Sequence, residues 1–152
     1  MKVIVISACL IGELCRYDGK QVNYPELDFL MSDPNVILLP VCPEVLGELQ
    51  TPRPPCEIRG DRVITRNGED VTEAFREGAE KVLTVCQASG AELAILKANS
   101  PSCGSGRIYD GSFSHTLIPG DGICASLLKK NGIKVFCEKD IERIKKHVRK
   151  NA

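Results

Sequence analysis

Cys9, Cys42 and Cys103 lie far apart in the chain, yet each follows an apolar run of strand character. The runs are VIVIS before Cys9, VILLPV before Cys42 and LAILKANSPS before Cys103. If these runs are neighbouring parallel strands, their carboxyl ends open onto one crevice, where ligand sites form in open α/β sheets. Three thiols meeting there would make a metal centre with three protein ligands and one open position, an arrangement suited to chemistry rather than to structural support. The spacing contains no Cys-x-x-Cys among these three, so zinc-ribbon and ferredoxin patterns are absent. On residue types alone a metal site, reactive thiols and packed cysteines all stay open. Position relative to the strands favours the metal site.

The elements that must position these thiols are legible in the periodicity. Val3 to Ser7 is a β-branched run that reads as a buried parallel strand. Strands are also expected at Val36 to Pro40, Leu93 to Leu96 and Ile133 to Phe136, and a hairpin at Glu57 to Ile64 with its turn at Gly60-Asp61. Helices are expected at Pro25 to Met31, from Asp70 to the Gly90 stop, at Ile123 to Lys130 and at Lys139 to His147. Asp70 with Glu73 resembles a capping box for the longest of them. Cys42 to Pro55 reads as a loop because Pro43, Pro52, Pro54 and Pro55 interrupt it. Asn99 to Gly122 reads as a long glycine- and serine-rich active-site loop. Strands alternating with helices predict an α/β fold: one compact domain over residues 1–152, with a Rossmann-like, mostly parallel sheet and flanking helices.

The bulk properties narrow the function classes. Twenty basic residues balance twenty acidic ones, so no nucleic-acid or anionic-membrane partner is expected. Lys145, Lys146, Arg149 and Lys150 read as the solvated end of a final helix. No apolar stretch approaches the roughly 20 residues needed to span a bilayer. The apolar run at the amino end is too early and too short for a signal peptide, so a cytoplasmic location is expected. In a reducing compartment the eight cysteines are more readily metal ligands, catalytic groups or small core residues than disulfides.

Five blocks then occur in order: SACL at Ser7 to Leu10, CRYDG at Cys15 to Gly19, CPE at Cys42 to Glu44, LKANSPSCG at Leu96 to Gly104 and GDG at Gly120 to Gly122. Together they resemble the thiouracil desulfidase family, formerly a domain of unknown function. The resemblance runs from Val3 to about Phe136, and SPSCG is its most specific block. It implies a [4Fe-4S] cluster held by Cys9, Cys42 and Cys103, with one iron free to take sulfur from a thiolated nucleobase such as 2-thiouracil. It further implies Glu44 and Ser100 as the catalytic pair. Water would replace sulfur on the ring carbon, converting C=S to C=O with release of sulfide. No net redox change is needed, so no nicotinamide or flavin is expected. An open iron is a soft Lewis acid suited to a thiocarbonyl sulfur. Lys97, Arg16 or Arg53 could balance the negative charge of the cluster and its thiolates.

Each residue also has a plainer reading. Glu44 is a solvated carboxylate or a partner of Arg53; Ser100 and Ser102 are turn residues; Lys97 is a surface lysine. Cys15 is a fourth ligand, a sulfur-handling thiol or a packing residue. Cys56 reads as a plain loop residue, and Cys86, Cys124 and Cys137 as buried hydrophobes. Gly120 to Ala125 matches GxGxxA, with Glu138 near the place of a ribose-binding acid, but no good strand precedes it. A glycine-lined helix start able to hold a substrate oxygen or carboxylate suits it better. His115 reads as a surface residue that could reach the pocket. The competing functions are a non-enzymatic iron–sulfur or zinc module, acting as carrier or sensor, and a metal-free persulfide enzyme. The natural substrate and the oligomeric state stay open.

Overall fold

The structure, a computed structural model, describes residues 1–150. Along the chain come β1 (Lys2–Ser7), α1 (Asp28–Ser32), β2 (Val36–Val41), α2 (Pro43–Leu46), β3 (Cys56–Arg59) and β4 (Arg62–Thr65). They are followed by α3 (Thr72–Ser89), β5 (Leu93–Ile95), β6 (Arg107–Tyr109), β7 (Leu117–Pro119), α4 (Ile123–Lys130), β8 (Lys134–Phe136) and α5 (Ile141–Arg149). β2, β1, β5 and β8 form, in that order, a four-stranded sheet in which every pairing is parallel. The expected mostly parallel α/β sheet is therefore present.

Side-chain alternation along the strands builds two cores, because successive residues point to opposite faces. Ile4, Ile6, Leu93 and Ile95 meet Leu30 of α1 and Ile144 of α5 on one face. Val5, Ala94 and Leu96 meet Val82 and Cys86 of α3 and Leu128 of α4 on the other. From β1 the chain turns outward to β2, and it then crosses to β5 on the other side of β1. The strand order thus reverses between β1 and β5, and the crevice beyond their carboxyl ends is the place such sheets offer a ligand.

Several local expectations change. The proline-rich stretch after Cys42 opens with a helical turn, α2, because Pro43 at its first position lacks only an N–H that a helix start leaves unbonded. The Asn99 to Gly122 stretch is not one long loop but carries the β6–β7 hairpin. The capping box does not form: Asp70 Oδ1 accepts from the Thr72 amide at 2.9 Å and hydroxyl at 2.6 Å, while Glu73 pairs with Arg76. Gly90 ends α3 in the left-handed region at φ 75°, as expected of a terminal glycine.

Candidate active site

Cys9, Cys42 and Cys103 come together at a cavity of about 280 Å3 lined by the carboxyl ends of β1 and β2 and by the segment that follows β5. Cys9 sits in a 3-10 turn after β1, Cys42 directly after β2, and Cys103 in the loop after β5. All eight cysteines are free thiols. Among the described residues no three His, Cys, Asp or Glu side chains converge closely enough to hold a single metal ion. Three thiols from separate segments that line one cavity could each bind a different metal of a polynuclear centre. The donors are soft sulfurs, and two hydroxyls face one of them: Ser7 Oγ lies 3.5 Å and Ser102 Oγ 3.6 Å from Cys103 Sγ. A hydrogen bond such as that from Ser7 tunes an iron–sulfur centre, and soft sulfur donors fit a cluster.

Two of these thiols are held in the protonated form. Burial pushes Cys103 up to about 12. Cys42 is pushed up by its contact with Cys15 and then by burial. Protons leave such sulfurs readily only when a metal takes their place. Cys15 lines the same cavity, and its carbonyl oxygen accepts from Cys42 Sγ at 3.9 Å.

Glu44 is held in place at both oxygens. Arg53 Nε donates to Oε1 at 3.0 Å, and Ser102 Oγ donates to Oε2 at 2.8 Å. Arg53 also donates from Nη1 to Gln50 O and Thr51 Oγ1 and from Nη2 to Cys15 O, which spreads its guanidinium across the site. The plain reading of Glu44 as a partner of Arg53 is therefore correct, and it places the carboxylate in the cavity rather than in solvent. Ser100 lines the cavity as well, its Oγ 2.9 Å from Ser102 Oγ.

Glycines set these positions. A Cβ on Gly47 would lie 2.1 Å from the Ala74 carbonyl oxygen, so α2 is pressed onto α3 and carries Cys42 and Glu44 with it. A Cβ on Gly122 would lie 2.6 Å from the Ser102 carbonyl. The amides that begin α4 are already taken: Gly122 donates to Gly104 O, Ile123 to Pro101 O, and Cys124 and Ala125 to Ser102 O. The GDG block therefore does not receive a substrate anion. It anchors the loop that presents Cys103.

Other residues shift role. Glu138 is not a ribose ligand: its buried carboxylate accepts from the Ala98 amide at 2.8 Å and pairs with Lys97 Nζ at 2.9 Å. Lys97 lines the cavity rather than the outer surface, as does Cys56, the first residue of β3. His115 stands at the cavity rim, edge-on to Tyr109 with ring centres 6.0 Å apart. Cys86 and Cys124 are buried in the core as expected, whereas Cys137 is only half-buried. The sequence reading gave no site role to Ser102 or Glu57. Buried Glu57 Oε1 accepts from the amides of Gly111 and Phe113 and so fixes the loop bearing His115. A carboxylate at the start of a strand carries no local signal of that partnership.

A parallel α/β sheet whose strand ends gather three free thiols and a clamped carboxylate in one cavity defines a class of small cysteine-centred proteins. Within that class, residues 4–140 match the 2-thiouracil desulfurase family, and the chain belongs to it. It is 41% identical to the uncharacterized protein YbbK of Bacillus subtilis (strain 168), over 93% of this chain and 99% of that one. It also superimposes on the solved structure of the [4Fe-4S]-dependent thiouracil desulfidase TudS with a TM-score of 0.90 at 43% identity, covering 97% of this chain and 98% of that one.

Proposed function

We propose that this chain, acting as one domain over residues 1–152, is a [4Fe-4S]-dependent desulfidase for a thiolated nucleobase such as 2-thiouracil, with Cys9, Cys42 and Cys103 as the cluster ligands. The observation that carries the reading is the meeting of those thiols with Glu44 and Ser100 in one cavity. When bound, the cluster would supply a soft Lewis-acidic iron able to accept the thiocarbonyl sulfur.

The chain's own residues account for the rest. Arg53 and Ser102 each donate to one carboxylate oxygen of Glu44, and each of those oxygens keeps a further lone pair free. Glu44 is thus placed to take a proton from the attacking water, and Ser100 to hold a proton at the same centre. The balance is hydrolytic: thiocarbonyl and water become carbonyl and hydrogen sulfide. Lys97 and Arg53 add positive charge at the cavity, although Glu138 and Glu44 offset much of it. No helix among the described residues is long and apolar enough to cross a membrane, and the free thiols suit a reducing, cytoplasmic setting.

Anaerobic reconstitution with iron and sulfide, followed by iron counting and a 2-thiouracil assay, tests the reading. About four irons per chain with sulfide release is the expected result. Iron without release would favour a carrier or another thiolated substrate, and absence of iron would overturn the cluster assignment.

A further inference from the structure

Ser102 is the single hydroxyl through which Glu44 and Ser100 are joined, and we propose that it is the positioning residue that makes them one catalytic pair. The inference rests on the desulfidase reading above and assigns a further residue to its site. Ser100 Oγ accepts from the amides of Ser102 at 3.1 Å and Cys103 at 3.0 Å, which occupies both of its lone pairs. Its proton therefore has to be donated, and Ser102 Oγ lies 2.9 Å away. Ser102 in turn gives its one proton to Glu44 Oε2 at 2.8 Å, because an ionised carboxylate only accepts. The 3.6 Å contact from the same hydroxyl to Cys103 Sγ is the longer alternative. Among the described residues no hydrogen bond joins Glu44 to Ser100 directly, so the direction of both O–H groups is set at Ser102.

The backbone holds Ser102 independently of its hydroxyl. Its carbonyl oxygen accepts from the amides of Cys124 at 2.8 Å and Ala125 at 3.1 Å, at the start of α4. The side chain is buried, at 2% exposure, and donates to a carboxylate that faces the cavity. Removing the hydroxyl should leave the Cys103 loop in place, while the Ser100 proton loses its acceptor and Glu44 Oε2 loses its donor.

The test compares wild type with Ser102→Ala, Ser102→Thr, Ser100→Ala and the double Ser100→Ala/Ser102→Ala. Each is reconstituted anaerobically and assayed for sulfide release from 2-thiouracil. Ser102→Ala is expected to keep wild-type iron content and a KM within about twofold, while kcat falls about 10–100-fold. Ser102→Thr, which restores a hydroxyl, is expected to recover most of that loss. In the double variant the second substitution should cost little, because both residues act as one unit. An unchanged kcat in Ser102→Ala, fully additive losses, or iron content falling in step with activity would each overturn the assignment. Wild type that loads iron but releases no sulfide would instead overturn the activity itself, and the pairing with it.

Discussion

A Cβ on Gly78 would lie 1.8 Å from the Pro43 carbonyl oxygen, so α2 and α3 meet backbone to backbone. This contact fixes the turn that carries Cys42 at its start and Glu44 within it. The long helix α3, anchored by buried Phe75, Ala79 and Val82, thereby sets the position of a site to which it contributes no side chain.

Gly78→Ala is expected to push α2 away from α3. The overpacking should destabilise by about 1–3 kcal/mol, partly offset by alanine's better helix propensity of roughly 1 kcal/mol. The larger effect should be on the site, with less iron retained per chain after reconstitution. Thermal melting and iron counting on the same preparations check this; unchanged values for both would show that the close approach does not hold α2.

Arg53→Lys is expected to lower turnover about tenfold at matched iron content, and Arg53→Ala further. Lysine keeps a positive charge but lacks the planar fork with which Arg53 reaches Glu44, Gln50, Thr51 and Cys15 together. Steady-state kinetics on iron-matched samples decide it, and a fully active lysine variant would reduce the role of Arg53 to charge alone.

Ser7→Ala removes the hydroxyl that accepts from the Lys97 amide at 3.0 Å and donates to Cys103 Sγ at 3.5 Å. Loss of the bond to Lys97 should cost about 1–2 kcal/mol. A thiolate with one donor fewer holds more electron density, so a bound cluster should become harder to reduce. Potentiometry of the reconstituted variant against wild type measures the direction, and an unchanged potential would show that Ser7 serves only the strand ends.

Asp70 provides a pH-dependent test away from the site. The Thr72 hydroxyl and amide, followed by the Arg62 guanidinium, hold its carboxyl at about 2 instead of the ordinary 3.8. A folded-state value below the unfolded one stabilises the fold fully above the unfolded value, and that contribution fades as pH falls toward 2. Asp70→Asn keeps an acceptor for Thr72 but removes the charge. The variant should melt below wild type near neutral pH, and the gap should close as the pH is lowered from 5 to 2. A gap that stays constant would assign the effect to lost packing.

The route from residues to site was legible where the signal was local. The β-branched run after Met1, the apolar stretch ending at Val41 and the short Leu93–Ile95 strand announced a parallel sheet, because buried strands must be apolar on both faces. Cys9, Cys42 and Cys103 were recognisable because each stands past the end of one of these strands, and Glu44 and Ser100 because the CPE and SPSCG blocks resemble a family's motifs. Other relationships connect residues through folded space. Ser102 has the local signature of a turn residue, yet its hydroxyl stands between Ser100 and Glu44, the latter 58 positions away in sequence. The GDG block read as an anion-binding helix start because sequence does not reveal that carbonyls from Pro101, Ser102 and Gly104 already fill it. Sequence alone determined the alternation, the breaks and the reactive residue types, which depend on neighbours one to four positions apart. Only the tertiary structure decided which hydroxyl, guanidinium and glycine meet at the cavity, because hydrogen-bond direction and backbone contact are set by distances between elements remote in the chain.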